Sequence, residues 1–381
     1  MGYKRPDGSC GIRNYVVVMS SVSCANGVVN AIGREVPGVK VINHTEGCGR
    51  GFEDIDIATR TLAGLGKNPN VAGILIVGLG CEVIKAPNLA DAICSTGKPA
   101  ISLVIQEGGG TRKTTAEGIK IVKQMLDQAE ALDREACGWE SLIVGLECGG
   151  SDALSGVTAN PLVGETADWL VDQGATLILS ETTEMIGTEH ILARRASSPG
   201  VAEQIVDLIK RQHQRTVDFL GDQAHMIISP GNIEGGLSNI IEKSLGCIVK
   251  GGTSPINEVI EYSAGPLQKG LVIMDTPGSD IFSLTGMAAG RAQLMVFTTG
   301  RGTPAGFPIV PVIKVASNTE IYENMKDDID INAGKLLQGV SMDEVRDELV
   351  DLLRKVIEGQ ETKAEMNNQD CLSIFTVGPP F

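Results

Sequence analysis

The chain has 381 residues, 42% of them hydrophobic and 21% charged, which bounds a water-soluble globular protein of two or three domains. A net charge of −15 and an aromatic content of 3% remove the basic surface and stacking platforms that nucleic-acid binding needs. Nine cysteines are too few for a disulfide scaffold, and neither a signal peptide nor an apolar run of membrane-spanning length is visible, so the composition points to a reduced, cytoplasmic protein with no membrane contact.

Taken in chain order, apolar runs at 15–20, 39–43, 71–77 and 101–105 predict a first series of strands. A second series is predicted at 141–146, 176–179, 225–228, 271–274, 294–298 and 310–315. Amphipathic segments at 54–65, 114–132, 201–219 and 342–358 read as helices between and after them. This alternation predicts an α/β protein of two domains with mainly parallel sheets flanked by helices. A charged helix ends and a new strand begins near 131–139, which divides an α/β domain at 1–134 from a second at 135–381 that ends with a helix.

Loops at the carboxyl ends of parallel strands converge on one crevice. Four cysteines sit just past such runs or inside glycine-rich turns: Cys24 (VVVMSSVSCANG), Cys48 (VINHTEGCGRG), Cys81 (ILIVGLGCE) and Cys148 (LIVGLECGGSD). His44, Glu46 and Cys48 alternate, so an extended backbone turns all three to one side. Cys24 precedes a predicted helix, where a thiolate is favoured. Thiolates from Cys24, Cys48 and Cys81 with the His44 imidazole suit a transition metal, as a single iron or as three corners of an iron–sulfur cluster. The ordinary alternative is a buried thiol acting as a small apolar group. Cys10, Cys94, Cys137, Cys247 and Cys371 read as structural.

The turn QEGGGTRKT (106–114) opens a helix and offers free N–H groups, with Arg112 and Lys113, to an anion. LECGGSD running into SGVTANP places Asp152 and Asn160 in a loop suited to a polyhydroxylated or carboxylated ligand. ETTEMIGTEH sets Glu181 at a strand end and Glu184 and His190 on or near the next helix, where an imidazole can serve as general acid or base. KSLGCIVKGGTSP offers Lys243 and Lys250 to a carboxylate as point charges. DTPGSD adds two carboxylates, and TTGRGTPAGFP carries Arg301, a bidentate clamp for an acid group. No nucleophile elbow, HExxH or EF-hand loop is present, which leaves serine hydrolase and zinc protease readings without support.

These loops together carry a resemblance. GYKRPDGSCGIRNYV, NHTEGCG, NPNVAGILIVGLGCE, LECGGSDALSGVTANP, SPGN, KGGTSP, DTPGSD and FTTGRGTPAGFP with KVASN closely resemble the altronate and galactarate dehydratase family. The resemblance runs from Gly2 to about Gly359 and is to the family's second and C-terminal domains. It implies a lyase working by β-elimination. A base removes the proton α to a carboxylate, a divalent metal (Fe2+, or Mn2+) stabilises the enediolate, and the β-hydroxyl leaves as water. The activity implied is dehydration of a sugar acid such as altronate to a 2-keto-3-deoxy acid. Release of sulfite from 3-sulfolactate is the alternative, and a non-catalytic subunit the second. His44, Cys48, Cys81 and Cys24 are expected around the metal, with His190 or Lys243 as base and Glu184 beside them. Arg301, Lys250 and Arg112 are expected to grip the substrate, with Asp152 and Asn160. Full-length members of the family begin with a small SAF-type domain, so the resemblance implies the large subunit of a split, oligomeric enzyme that pairs with a separate small chain.

Overall fold

The structure is a computed structural model describing residues 1–381, the side chains of Asp222, His225 and Met226 excepted. A short antiparallel hairpin, β1 (Tyr3–Lys4) and β2 (Cys10–Gly11), leads into a four-stranded parallel sheet. Its strands are β3 (Tyr15–Ser20), β4 (Lys40–Ile42), β5 (Val71–Gly78) and β6 (Ala100–Val104), in spatial order β4-β3-β5-β6. YVVVMS and VAGILIVG are almost wholly buried, as continuous β-branched runs must be when helices cover both faces of a parallel sheet. Those helices are α1 (Asn26–Glu35), α2 (Phe52–Lys67), α3 (Ala86–Cys94) and α4 (Thr111–Glu130).

The second sheet has seven parallel strands: β7 (Ile143–Gly149), β8 (Thr176–Leu179), β9 (Ile256–Ile260), β10 (Gly270–Met274), β11 (Leu294–Thr299), β12 (Val312–Ala316) and β13 (Ile331–Asn332). Their order is β13-β12-β11-β7-β8-β10-β9. The helices of this half are α5 (Ala159–Asp172), α6 (Glu189–Ala193), α7 (Pro199–Leu220), α8 (Pro230–Glu234), α9 (Ile240–Cys247), α10 (Asp280–Ala289), α11 (Thr319–Asn324), α12 (Met342–Ile357) and α13 (Lys363–Met366).

One core joins the sheets. Val17, Met19, Ile74 and Ile76 of the first sheet and Ile178, Val272, Met295 and Phe297 of the second share a single buried cluster with Leu62 and Leu65 of α2 and Leu284 and Met287 of α10. Gly64 permits the close contact of these helices, since a Cβ there would stand 2.4 Å from the Ala289 carbonyl oxygen. Two fully buried asparagines stitch the same seam. Asn68 donates to the Ala288 and Ala292 carbonyls, and Asn70 donates to Gln293 and Ile309 while accepting from the backbone N–H groups of Ile12 and Arg13. The C-terminal segment returns across the seam. Glu365 accepts a bidentate pair from Arg13 at 2.8 and 2.9 Å, and the backbone N–H groups of Val377 and Phe381 bond Asp54 and the Gly49 carbonyl.

The α/β class and the parallel sheets agree with the sequence reading. The expected strand at 225–228 does not form. The backbone turns as a 3-10 helix at Gly221–Met226, because a four-residue apolar run fits a helical turn as well as it fits a strand. β9 was not foreseen; it is an edge strand with half-buried Asn257 and Glu258 in its middle. β7 continues to Gly149, three residues past the expected run, so Glu147 and Cys148 lie inside the strand. The expectation that all thiols are reduced is also corrected, because Cys10 and Cys137 form a disulfide between the hairpin and the connection that follows α4. No helix among the described residues is long and apolar enough to cross a membrane.

Candidate active site

From β7 the chain winds to β8, β9 and β10 on one side of the sheet, then crosses to β11, β12 and β13 on the other. The reversal falls between β7 and β11, and ligands of open α/β sheets bind at such a point, beyond the carboxyl ends. β7 ends there with Glu147 and Cys148. β8 runs into Ser180 and Glu181, and the 3-10 turn Thr182–Met185 brings Glu184. Glu181 has φ 69°, a left-handed conformation that a non-glycine residue holds only when its surroundings enforce it. Lys243, Cys247 and Lys250 are spaced i, i+4, i+7 along α9 and the 3-10 turn Ile248–Gly251, which puts them on one face. Asp280 and Ser283 come from the first turn of α10.

These groups form one buried network. The Lys250 ammonium, fully buried, donates to Glu181 Oε2 at 2.5 Å and to Cys247 Sγ at 2.7 Å. Lys243 donates to Glu184 Oε1. Cys148 Sγ lies 3.3 Å from Glu184 Oε2 and 3.6 Å from Cys247 Sγ, and its backbone N–H donates to Glu181 Oε2 at 2.9 Å. Glu147 accepts from Ser180 at 3.1 Å and from Ser283. Glu147 Oε1 and Glu181 Oε1 are buried with no hydrogen-bond partner, a rare condition outside functional sites.

The charges are set by burial and by neighbours. Burial, then Asp280, pushes the Glu147 carboxyl well above its ordinary range. Burial, then Glu184, raises Asp280 to about 6. Burial alone would lower both ammonium groups. Glu184 and Cys148 overturn this for Lys243, and Cys148, Cys247 and Glu181 do so for Lys250, so both stay charged. The hydrogen bond with Cys247 draws the Cys148 thiol below the usual thiol range, while burial pushes Cys247 up. One thiol of the pair is thus acidic and the other is its partner.

Cys148, Glu181, Glu184 and Cys247 each offer a ligand atom, all within 4.8 Å of one another and all buried, a set that could hold a metal ion. Two cations already stand against those atoms. Lys250 occupies Glu181 and Cys247, and Lys243 occupies Glu184, so an ion could enter only if the ammonium groups withdrew. The arrangement as built is an acid–base centre with its charges compensated internally.

Of the residues expected from sequence, Lys243, Lys250 and Glu184 belong to this centre. Lys250 is sealed in it, so its place is beside Glu181 rather than on a substrate acid. Asp152 accepts from Ser155, Ser317 and Asn318, and Asn160 bridges Thr298 and the Gly246 carbonyl; both knit the surrounding loops. Arg301 is 43% exposed on the rim, paired with Glu234, and its backbone N–H bonds Gly150 directly after the Cys148 strand. His190 is exposed on α6 and takes no part in the network's hydrogen bonds. Arg112 is exposed at the start of α4 on the first sheet's half. His44, expected as a metal ligand, has both ring nitrogens engaged: Nε2 donates to the Ser20 carbonyl at 2.7 Å and Nδ1 accepts from the Glu46 N–H at 3.1 Å. Cys24, Cys48 and Cys81 are exposed on the rim of the first sheet. Cys247, read from sequence as structural, is part of the centre, and its one-face spacing with both lysines was the available signal.

A buried acid–base centre at the winding reversal of a doubly wound parallel sheet defines an α/β enzyme. The family description "D-galactarate dehydratase/Altronate hydrolase, second domain" matches residues 2–130, and "D-galactarate/Altronate dehydratase, C-terminal" matches residues 139–379. The chain belongs to the galactarate and altronate dehydratase family. It is 36% identical to an altronate dehydratase of Bacillus subtilis (strain 168) over 389 residues, covering 99% of this chain and 77% of that protein. It is 34% identical over 372 residues to the (2R)-sulfolactate sulfo-lyase subunit beta of Chromohalobacter salexigens, covering 96% of this chain and 94% of that one. It is 34% identical over 409 residues to a galactarate dehydratase (L-threo-forming) of Escherichia coli (strain K12), with 99% and 76% covered. These relatives are hydro-lyases and a carbon–sulfur lyase.

Proposed function

We propose that the chain is a hydro-lyase that dehydrates a sugar acid of the altronate or galactarate kind to a 2-keto-3-deoxy acid. The observation that carries this reading is the Lys243–Glu184 pair, held beside Cys148 at the carboxyl ends of the sheet. Glu184 takes the proton α to the substrate carboxylate. The freed electron pair forms the enol double bond as the β carbon–oxygen bond breaks, and Lys243 gives its proton to the departing hydroxyl, which leaves as water. The enol then becomes the 2-keto acid by tautomerisation. Because Lys243 and Glu184 are hydrogen-bonded, the proton passes back between them and restores both. Lys250 keeps Glu181 and the thiol pair compensated in the dry interior. Arg301 on the rim is suited to a bidentate grip on the acid. An iron centre would supply Lewis-acid stabilisation of the enediolate; Cys24, Cys48 and Cys81, the exposed thiols at the strand ends of the first sheet, would hold it, and thiolate donors favour iron over magnesium.

A sulfo-lyase acting on 3-sulfolactate is the second reading, favoured by the near-complete coverage of a relative named as a subunit. That relative's name, a subunit beta, supports a multi-subunit enzyme; a small partner chain of the SAF type, the cytoplasm as compartment and functional halves at 1–134 and 135–381 are part of the same proposal. Incubating the purified chain plus the small chain with altronate, galactarate and 3-sulfolactate tests the choice. Formation of 2-keto-3-deoxy acid from a sugar acid is expected; sulfite from 3-sulfolactate without keto acid from the others would replace the first reading by the second.

A further inference from the structure

Free cysteine is among the most buried residue types, yet Cys24, Cys48 and Cys81 are all exposed. They also lie together. The Cys24 turn follows β3, the Cys48 loop follows β4 and the Cys81 loop follows β5, three neighbouring strands of one sheet. The Cys48 loop runs between the other two. Glu46 accepts from the Ser23 N–H at 3.1 Å, and Gly47 accepts from Val83 at 3.1 Å and Ile84 at 3.3 Å. Gly47, at φ 112°, makes this approach possible, because a Cβ there would stand 2.4 Å from the Ser21 carbonyl oxygen. His44 fixes the loop through both ring nitrogens, and Arg50 clamps Glu46 at 2.8 and 2.9 Å.

Three thiolates on one tetrahedral ion stand about 4 Å apart, from metal–sulfur bonds of about 2.3 Å. Among the described residues, the three thiols are not a set whose ligand atoms all lie within 4.8 Å of one another. Wider separation suits thiolates that each bind a different iron of a cluster. The other donors nearby are committed: the His44 ring is used, Glu46 is held by Arg50, and Glu82 accepts from the Gly80 N–H at 2.5 Å and from Ser21 at 3.1 Å.

We propose that Cys24, Cys48 and Cys81 bind three corners of a four-iron, four-sulfide cluster whose fourth iron carries no protein ligand and stays open to a small oxygen donor. This goes beyond the lyase reading and is tested without substrate, so either can fail alone. A preformed synthetic cluster bearing small-molecule thiolates is offered to the full chain without oxygen. Loading is then ligand exchange, in which each cysteine passes its proton to the thiolate it displaces and no electron moves. After desalting, about four irons and four acid-labile sulfides per chain are expected. Cys24→Ser, Cys48→Ser and Cys81→Ser should each cut both by at least about tenfold, and Cys94→Ser, at an exposed thiol elsewhere, should not. In the unsubstituted chain the loaded cluster should shield Cys24, Cys48 and Cys81 from alkylation while Cys94 reacts. Failure to retain iron and sulfide, iron without sulfide, full loading of any of the three variants, or unshielded thiols in the loaded chain would overturn the proposal.

Discussion

Replacing Arg13 with lysine keeps a positive charge at the seam between the sheets and removes the fork that uses it. All five guanidinium donors are engaged: Nε and one Nη with the two Glu365 oxygens, and the rest with the carbonyls of Ile12, Val356 and Gln360. Lysine has three donors, so at least two of the five acceptors lose a partner in a site where Arg13 is 7% exposed. Tyr15, Thr362, Arg134 and Gly359 still donate to four of these acceptors, so the loss is that of the charge-assisted bonds themselves, and Arg13→Lys should cost about 1–3 kcal/mol. Glu365→Gln keeps the shape and removes the charge. It should cost about 2–3 kcal/mol near neutral pH, below the roughly 3–5 kcal/mol of a broken buried pair. The pH arm fixes the cause. Burial alone would raise the Glu365 carboxyl, but the Arg13 fork overrides it and holds it below the ordinary range. A carboxyl depressed in the folded state contributes fully above its unfolded value of about 4.3 and loses that contribution as pH falls through the folded value. The gap between the unsubstituted protein and Glu365→Gln in urea unfolding should therefore be full near pH 7 and shrink below about pH 4. A gap that stays constant across that range, or an Arg13→Lys protein as stable as the parent, would refute the reasoning.

Lys243→Met and Glu184→Gln should each lower keto-acid formation by about 10^2–10^4-fold with circular dichroism unchanged, the range of a lost general acid or base. Lys250→Met strands Glu181 and should cost about 3–5 kcal/mol in urea, while the double variant Lys250→Met/Glu181→Gln recovers much of it; an additive double variant would show that the two groups do not form a pair. Reducing the Cys10–Cys137 disulfide, which spans 127 residues, should lower stability by up to about 4.7 kcal/mol, and a Cys10→Ser/Cys137→Ser protein should be insensitive to reductant.

The strands that could be read from sequence are those whose side chains record burial directly. YVVVMS and TLIL are β-branched or aliphatic throughout, and their bounds agree with the structure. β9 escaped notice because an edge strand mixes half-buried polar residues with apolar ones. At the site, Cys148 and Glu181 stood out by their place at strand ends, Glu184 by the segment that follows, and Lys243 as a point charge for a carboxylate. Glu147, Glu181 and Asp280 matter because three separate segments meet, and no local pattern states that meeting. His44 shows the converse. Its neighbours promised a ligand, but both ring nitrogens were already needed to hold the turn. The Cys10–Cys137 pairing was hidden for the same reason as the site, since the partners are 127 residues apart and only the packed hairpin brings them together.

The two rims solve the same electrostatic problem in opposite ways. Carboxylates and thiolates cannot sit in a dry interior without cations. At the second sheet α9 and the 3-10 turn after it supply them as Lys243 and Lys250, which already occupy Glu184, Glu181 and Cys247. At the first sheet the nearby cations are already committed, Arg50 to Glu46 and Lys85 to the Gly80 carbonyl, so the exposed thiols have no internal counter-charge. Under the cluster proposal and the proposed function, the metal centre lies on the open rim and proton transfer on the closed one. Between the sheets lies a cavity of about 470 Å³. One wall is Glu53 and Asp56 in α2, which begins just after the Cys48 loop. The other is Asp275, Thr276 and Pro277 beyond β10, where Thr276 bonds the backbone of Glu181 and Thr182. Phe375 and Val377 of the C-terminal segment also line it. The shared core and the Arg13–Glu365 clamp, which fix the sheets against each other, thus also set the distance between the thiol rim and the acid–base centre.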